Sequence, residues 1–102
     1  MSTVEAPQLK PSLGRLVHYT LNESDVARID QQRQYEPYRG NDVQVGDVFP
    51  MDIVRVWSAG PDDLTPDTAV NGQVKLDGND TLWVTSVTLG DGPGHFTWPP
   101  RV

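Results

Sequence analysis

The chain contains no cysteine and only two histidines, two methionines and two phenylalanines. Without thiols there is no disulfide frame, no thiolate nucleophile and no cysteine-based zinc or iron–sulfur site. Long apolar runs are missing as well: no window approaches the ~20 apolar residues of a membrane span. Met1 to Leu13 carry Glu5 and Lys10 but no apolar h-region, so no secretory signal is expected. Positive charge is scarce, with eight Lys and Arg against fourteen Asp and Glu and a formal charge of −6. The basic residues are scattered, which argues against binding a nucleic-acid backbone, an interaction that draws on clustered Lys and Arg. A soluble, intracellular type of protein is the expectation.

What is present is punctuation. The 102 residues include nine Gly and nine Pro, which cut the chain into short pieces and favour turn-rich β structure in one domain. Such a domain buries only about two-thirds of its unfolded surface, so its core is small. Residues 1–12, with Pro7 and Pro11, read as a flexible arm, followed by a single β-rich domain over 13–102 that ends in a tail at 90–102. From Gly14 to Leu21, Val17, Tyr19 and Leu21 alternate with Leu16, His18 and Thr20, the period of a strand. Asn22 then reads as an N-cap, with Asp25 completing a capping box and Leu21 and Val26 at the staple positions. Val26 and Ile29 form a narrow stripe that must pack on a sheet, and Pro37 bounds the helix.

Downstream, a Gly46-Asp47 turn precedes a strand over Phe49 to Trp57, with Pro50 expected to place it at an edge or bulge. Ser58 to Ala69 reads as an exposed loop. Val70 to Leu76 and Thr81 to Leu89 form a hairpin about Asp77-Gly78-Asn79-Asp80. Phe96 and Trp98 in the tail alternate as a further short strand would. The expected fold class is therefore mainly β (α+β): a small antiparallel barrel or rolled sheet of about five strands, with one short helix after the first strand.

Several segments form an ordered series. It runs from Gly14-Arg15-Leu16-Val17-His18-Tyr19 through Gly46-Asp47-Val48, Ile53-Val54-Arg55-Val56-Trp57 and Val70-Asn71. It continues with Leu76-Asp77-Gly78-Asn79-Asp80-Thr81, Trp83-Val84-Thr85-Ser86 and Gly92-Pro93-Gly94, and closes on Trp98 and Pro99-Pro100-Arg101-Val102. Over residues 13–102 this series resembles a group of small proteins encoded by tailed bacteriophages and prophages. The resemblance implies a phage source, and with it a place in the virion or the host cytoplasm. It carries over no catalytic or binding residue.

Candidate chemistry is sparse. His18 and His95 lie far apart in sequence, with no spacing that fixes a metal site, and no cofactor is implied. Counted from Asp77, a calcium loop would need Glu where Thr88 stands, so Asp77 to Asp80 read as a turn. No Gly-x-Ser-x-Gly elbow occurs, and Gly90 to Gly94 precede neither a Lys nor a helix that could receive phosphate. A non-enzymatic accessory protein is thus expected, acting by protein–protein contact on a virion or host partner or by self-association, with Trp98 and Val102 near the contact. The alternative is a small-molecule binder that sequesters a nucleotide signal of host immunity. Its mouth would be lined by Trp83, Trp98 and Tyr19, with Arg15 and Arg55 as anion clamps. His95 is a further candidate contact. No membrane association is expected.

Overall fold

The computed structural model describes residues 9–35 and 40–100. Strand β1 (Leu16–Thr20) buries Val17 and Tyr19 on the face the alternation assigns to the core, and Leu21 follows them inward. Helix α1 (Glu23–Gln32) starts at once, because Asn22 is already extended and ready to cap it. Asn22 Oδ1 accepts the Asp25 N–H at 2.8 Å, and Asp25 Oδ2 accepts the Asn22 N–H at 3.0 Å. The same carboxylate oxygen accepts the Tyr19 hydroxyl at 2.5 Å, so the cap is tied to the strand beneath it. Burial of Tyr19, together with that hydrogen bond and the nearby carboxylate charge, pushes its hydroxyl far above the ordinary phenol range.

Strands β2 (Val48–Val56), β3 (Val70–Lys75), β4 (Thr81–Val87) and β5 (Phe96–Thr97) complete one antiparallel sheet of order β4-β3-β2-β1-β5. Between β2 and β3 the loop holds one short 3-10 turn, Pro61–Asp63. The register brings Val17, Met51, Val74 and Leu82 into one row and Ile53, Gly72 and Val84 into the next, all inward. Ile29 of α1 and Phe96 of β5 fill the space above them and are fully buried. This is the mainly β fold expected, and of the two closures considered the chain adopts the open one, a rolled sheet. Its edges meet at one corner, where Leu89 bridges Phe96 and Gly90 N–H reaches Phe96 O at 3.0 Å.

An edge strand exposes unpaired backbone groups that invite other strands. At β4 two helix side chains occupy two of the outward carbonyls: Arg28 Nη2 donates to Trp83 O at 2.9 Å and Gln32 Nε2 to Thr81 O at 3.1 Å. Residues four apart on a helix and two apart on a strand both advance by roughly 6 Å, so the two ladders match. The C-terminal end of α1 is fastened by Arg33, which meets Asp80 through two hydrogen bonds, Nε to Oδ2 at 2.9 Å and Nη2 to Oδ1 at 3.1 Å.

Some expectations change in the three-dimensional structure. β2 is central rather than at an edge, and Pro50 is tolerated because β2–β3 pairing starts only at Met51, leaving Pro50 with a β1 partner alone. Its bulge lies further on, between Ile53 and Arg55. The tail is no appendage at Phe96, which pairs with Tyr19 and is wholly enclosed. Pro11, read as part of an arm, is fully buried as well. Residues 1–8, the 36–39 part of the loop after α1, and Val102 fall outside the described residues. Among the described residues no helix is long and apolar enough to cross a membrane.

Candidate functional site

The six candidate binding residues do not gather in one place. Tyr19 is buried with its hydroxyl committed to Asp25. Trp83 stands opposite Gln73, one residue out of phase with the buried Leu82 and Val84, and so projects from the outer face of the sheet, half-exposed. Trp98 packs against the core beside Phe96, edge to face with ring centres 6.0 Å apart, under the Arg15 guanidinium at 5.3 Å. Arg55 lies over Trp57 at 4.8 Å. His95 is held by Thr88, its Nδ1 lying 3.1 Å from the carbonyl oxygen and 3.2 Å from Oγ1. Each candidate anion clamp is thus stacked on an indole, and Trp83 and Trp98 occupy different sides of the sheet. Among the described residues no group of three His, Asp or Glu side chains could hold a metal ion.

The structure gathers exposed apolar residues elsewhere, at the end of β2. The first register pair between β1 and β2 is Leu16 with Asp52, yet β2 continues to Val56 and outruns its neighbour. The last bonds on that side are Ile53 N–H to Arg15 O at 3.0 Å and Gly14 N–H to Ile53 O at 2.8 Å. There the chain turns away, with Arg15 N–H bonded to Ser12 O at 3.2 Å and Gly14 at a φ of +80°, a conformation that suits glycine. A notch of about 310 Å³ is left, lined by Leu13, Val54, Arg55 and Val56. Past Val56 a second shallow groove of about 250 Å³ has Pro11, Pro61 and Leu64 among its walls. Leu13 is 68% exposed, Val54 47% and Trp57 51%.

Trp57 is a fixed part of this region. Asn71 in β3 is 6% exposed, and its Oδ1 accepts both the Trp57 indole N–H at 3.0 Å and the Ser86 backbone N–H at 2.9 Å. Two bulges meet around it, one between Ile53 and Arg55 and one between Val70 and Gly72. Ser86, facing the second, has a φ of +54°, a left-handed conformation that non-glycine residues rarely adopt. Bulges and left-handed residues concentrate where a fold re-aims a side chain. Here they aim the indole outward with its N–H already spent and Arg55 over one face, so the ring offers its other face and an apolar edge. Sequence reading assigned Asn71 no such role, although Gly72 beside it, an isolated glycine inside an apolar strand pattern, is a bulge signal.

Asn71→Ala should therefore cost about 1–3 kcal/mol, because it removes the acceptor shared by the Trp57 and Ser86 N–H groups, two part-buried hydrogen bonds worth about 0.5–1.5 kcal/mol each. It should also free Trp57, seen as increased acrylamide quenching of tryptophan emission in the folded protein. Unchanged quenching would show that Asn71 does not orient the ring.

Comparison with protein-family models, curated proteins and solved structures finds no match to this chain.

Proposed function

We propose that the protein works by holding a protein partner rather than by transforming a substrate, and that it does so with the notch at the end of β2. The observation that carries this reading is the exposure of Leu13 and Val54 in the walls of the notch, with exposed Trp57, held by the buried Asn71 amide, stacked under the Arg55 that also lines it. Exposed apolar patches mark interaction sites on small soluble domains, and a pre-oriented aromatic lowers the entropy lost on binding. The resemblance to small phage proteins supports an accessory role, on the virion or against a host protein. The charge of −6 favours a partner segment with basic residues. The nucleotide reading has less support, since of its residues only Arg15 and Trp98 meet, while Tyr19 is buried, Trp83 is on the outer face and Arg55 is stacked on Trp57.

Val54→Glu places a carboxylate in the notch at a position already half-exposed, so the fold should melt as before. The wild type should be recovered with purified virions or with a host protein from infected cells, and the variant should not. Equal recovery of both proteins would remove the notch from the mechanism. A melting-temperature rise with any cyclic or linear nucleotide would favour the small-molecule alternative.

A further inference from the structure

We infer that the occupant of the notch is the proline-bearing segment of a second copy of this chain, beginning at Pro99; this rests on the notch being a contact site. The first support is where the chain leaves the fold. β5 runs antiparallel to β1, with Phe96 opposite Tyr19 and Thr97 opposite His18. Continued in that direction, the chain reaches the start of β1, where Arg15 covers Trp98 at 5.3 Å. This is the end of the sheet that holds the notch, since Arg15 and Gly14 bond to Ile53. β1 separates the tail from β2 by about two strand spacings, roughly 10 Å, so Pro99 and Pro100 depart beside their own notch and outside it. A two-fold axis near this end would let each copy lay its tail in the other's notch, a closed and self-complementary exchange.

The second support is chemical fit. Proline-rich segments are extended before they bind and need no strand partner for their missing N–H groups. They dock in shallow apolar grooves beside aromatic rings. The notch and its neighbouring groove supply apolar walls in Leu13, Val54, Val56 and Leu64, and the Arg55 that also lines the notch lies over the Trp57 ring. Half-buried Pro99 and exposed Pro100 supply the ligand.

The third support is charge. Two copies at −6 repel each other over most of their surfaces, so association needs a place where the sign changes. Arg101 follows Pro100 in the sequence, and exposed Asp62 and Asp63 stand between Pro61 and Leu64 on the groove's rim. The charge of Arg101 complements this rim, so the basic end of the tail belongs at the groove and its prolines at the notch, whose charged wall is Arg55.

Sedimentation equilibrium of the full chain tests this, together with a dye-labelled peptide of the sequence 94–102. The wild type should weigh as a dimer, and Val54→Glu and the double variant Pro100→Ser/Arg101→Glu should both weigh as monomers. Mixing the two variants should restore a weaker dimer, because one intact tail then meets one intact notch. The labelled peptide should bind the wild type and lose about tenfold or more in affinity to Val54→Glu. A wild-type monomer that ignores the peptide, or a dimer that survives Val54→Glu, would overturn the inference. If the chain is monomeric but a basic polyproline peptide of unrelated sequence binds and is lost with Val54→Glu, the second copy is excluded while the notch reading stands. If neither peptide binds and Val54→Glu recovers the same partners as the wild type, both fail.

Discussion

Gly72→Val is expected to abolish the cooperative unfolding transition, and Gly72→Ala to lower stability by about 1–3 kcal/mol, the usual range for overpacking a core. Gly72 lies in β3 between Ile53 of β2 and Val84 of β4, on the inward face. The Met51 side chain occupies the space a Cβ would need: that atom would lie 2.5 Å from Met51 Cγ, closer still to its sulfur, and 3.0 Å from the Asp52 carbonyl oxygen. Met51 is fully buried, so its thioether cannot swing into solvent, and the carbonyl is fixed in the sheet. Valine adds two methyl groups to an already impossible contact. The total stability of a domain this size is only about 5–15 kcal/mol, so the larger variant has little left to lose. Urea unfolding followed by circular dichroism checks both variants. Met51→Ala in the Gly72→Ala background should recover part of the loss, the non-additivity expected of residues in contact. A wild-type midpoint for Gly72→Val would show that β2 and β3 do not approach as described.

Asp80→Ala is expected to cost about 3–5 kcal/mol, the range for breaking a buried ion pair from one side. Asp80 accepts from Arg33 through both oxygens and from Gln32 Nε2 at 3.0 Å, while Arg33 Nη1 donates to Asn41 O at 2.8 Å. The side chains of Arg33 and Asp80 are 15% and 1% exposed, so little solvent screens the pair. Removing the carboxylate strands a guanidinium that fastens α1, the loop at Asn41 and the β3–β4 turn together. The hydrogen bonds from Arg33, opposed in part by burial, hold the Asp80 carboxyl below its ordinary value of 3.8. A lowered folded-state pKa means that this stabilisation is fully present above the ordinary value and is lost as pH falls through the folded one. The wild type should therefore lose stability in acid more steeply than Asp80→Ala, and the gap between the two should narrow below the ordinary carboxylate pKa. Parallel acid limbs in denaturant titrations would contradict this linkage.

The elements that sequence reading placed well are those governed by near neighbours. Val17, Tyr19 and Leu21 alternate with polar positions, and they are buried. Asn22 and Asp25 cap each other because a residue at the N-cap and one three positions on are brought together by the first helical turn itself. The hairpin of β3 and β4 follows from one turn between two alternating runs. In each case the partner lies within one helical turn or one hairpin, and local chain geometry supplies the contact.

Asp80 shows where this stops. Its setting in Asp77-Gly78-Asn79-Asp80 is fully explained by turn chemistry, so nothing local signals that it is the buried partner of Arg33, 47 positions away. Trp57 is similar. As a strand end it reads like any other, and its role depends on Asn71 and Ser86 arriving beside it through two bulges. A bulge changes which side chains share a face, and a one-residue shift is invisible to alternation counts.

By itself, the sequence determined a thiol-free, acidic, β-rich body with a capped helix after its first strand, because composition and short-range periodicity specify those features directly. Only the tertiary structure decided that the sheet stays open, that Phe96 belongs to the core, and that the exposed apolar residues gather at the end of β2. Those outcomes depend on the relative lengths and registers of strands distant in the chain, where the free energy of each pairing is set by what the other strands have already enclosed.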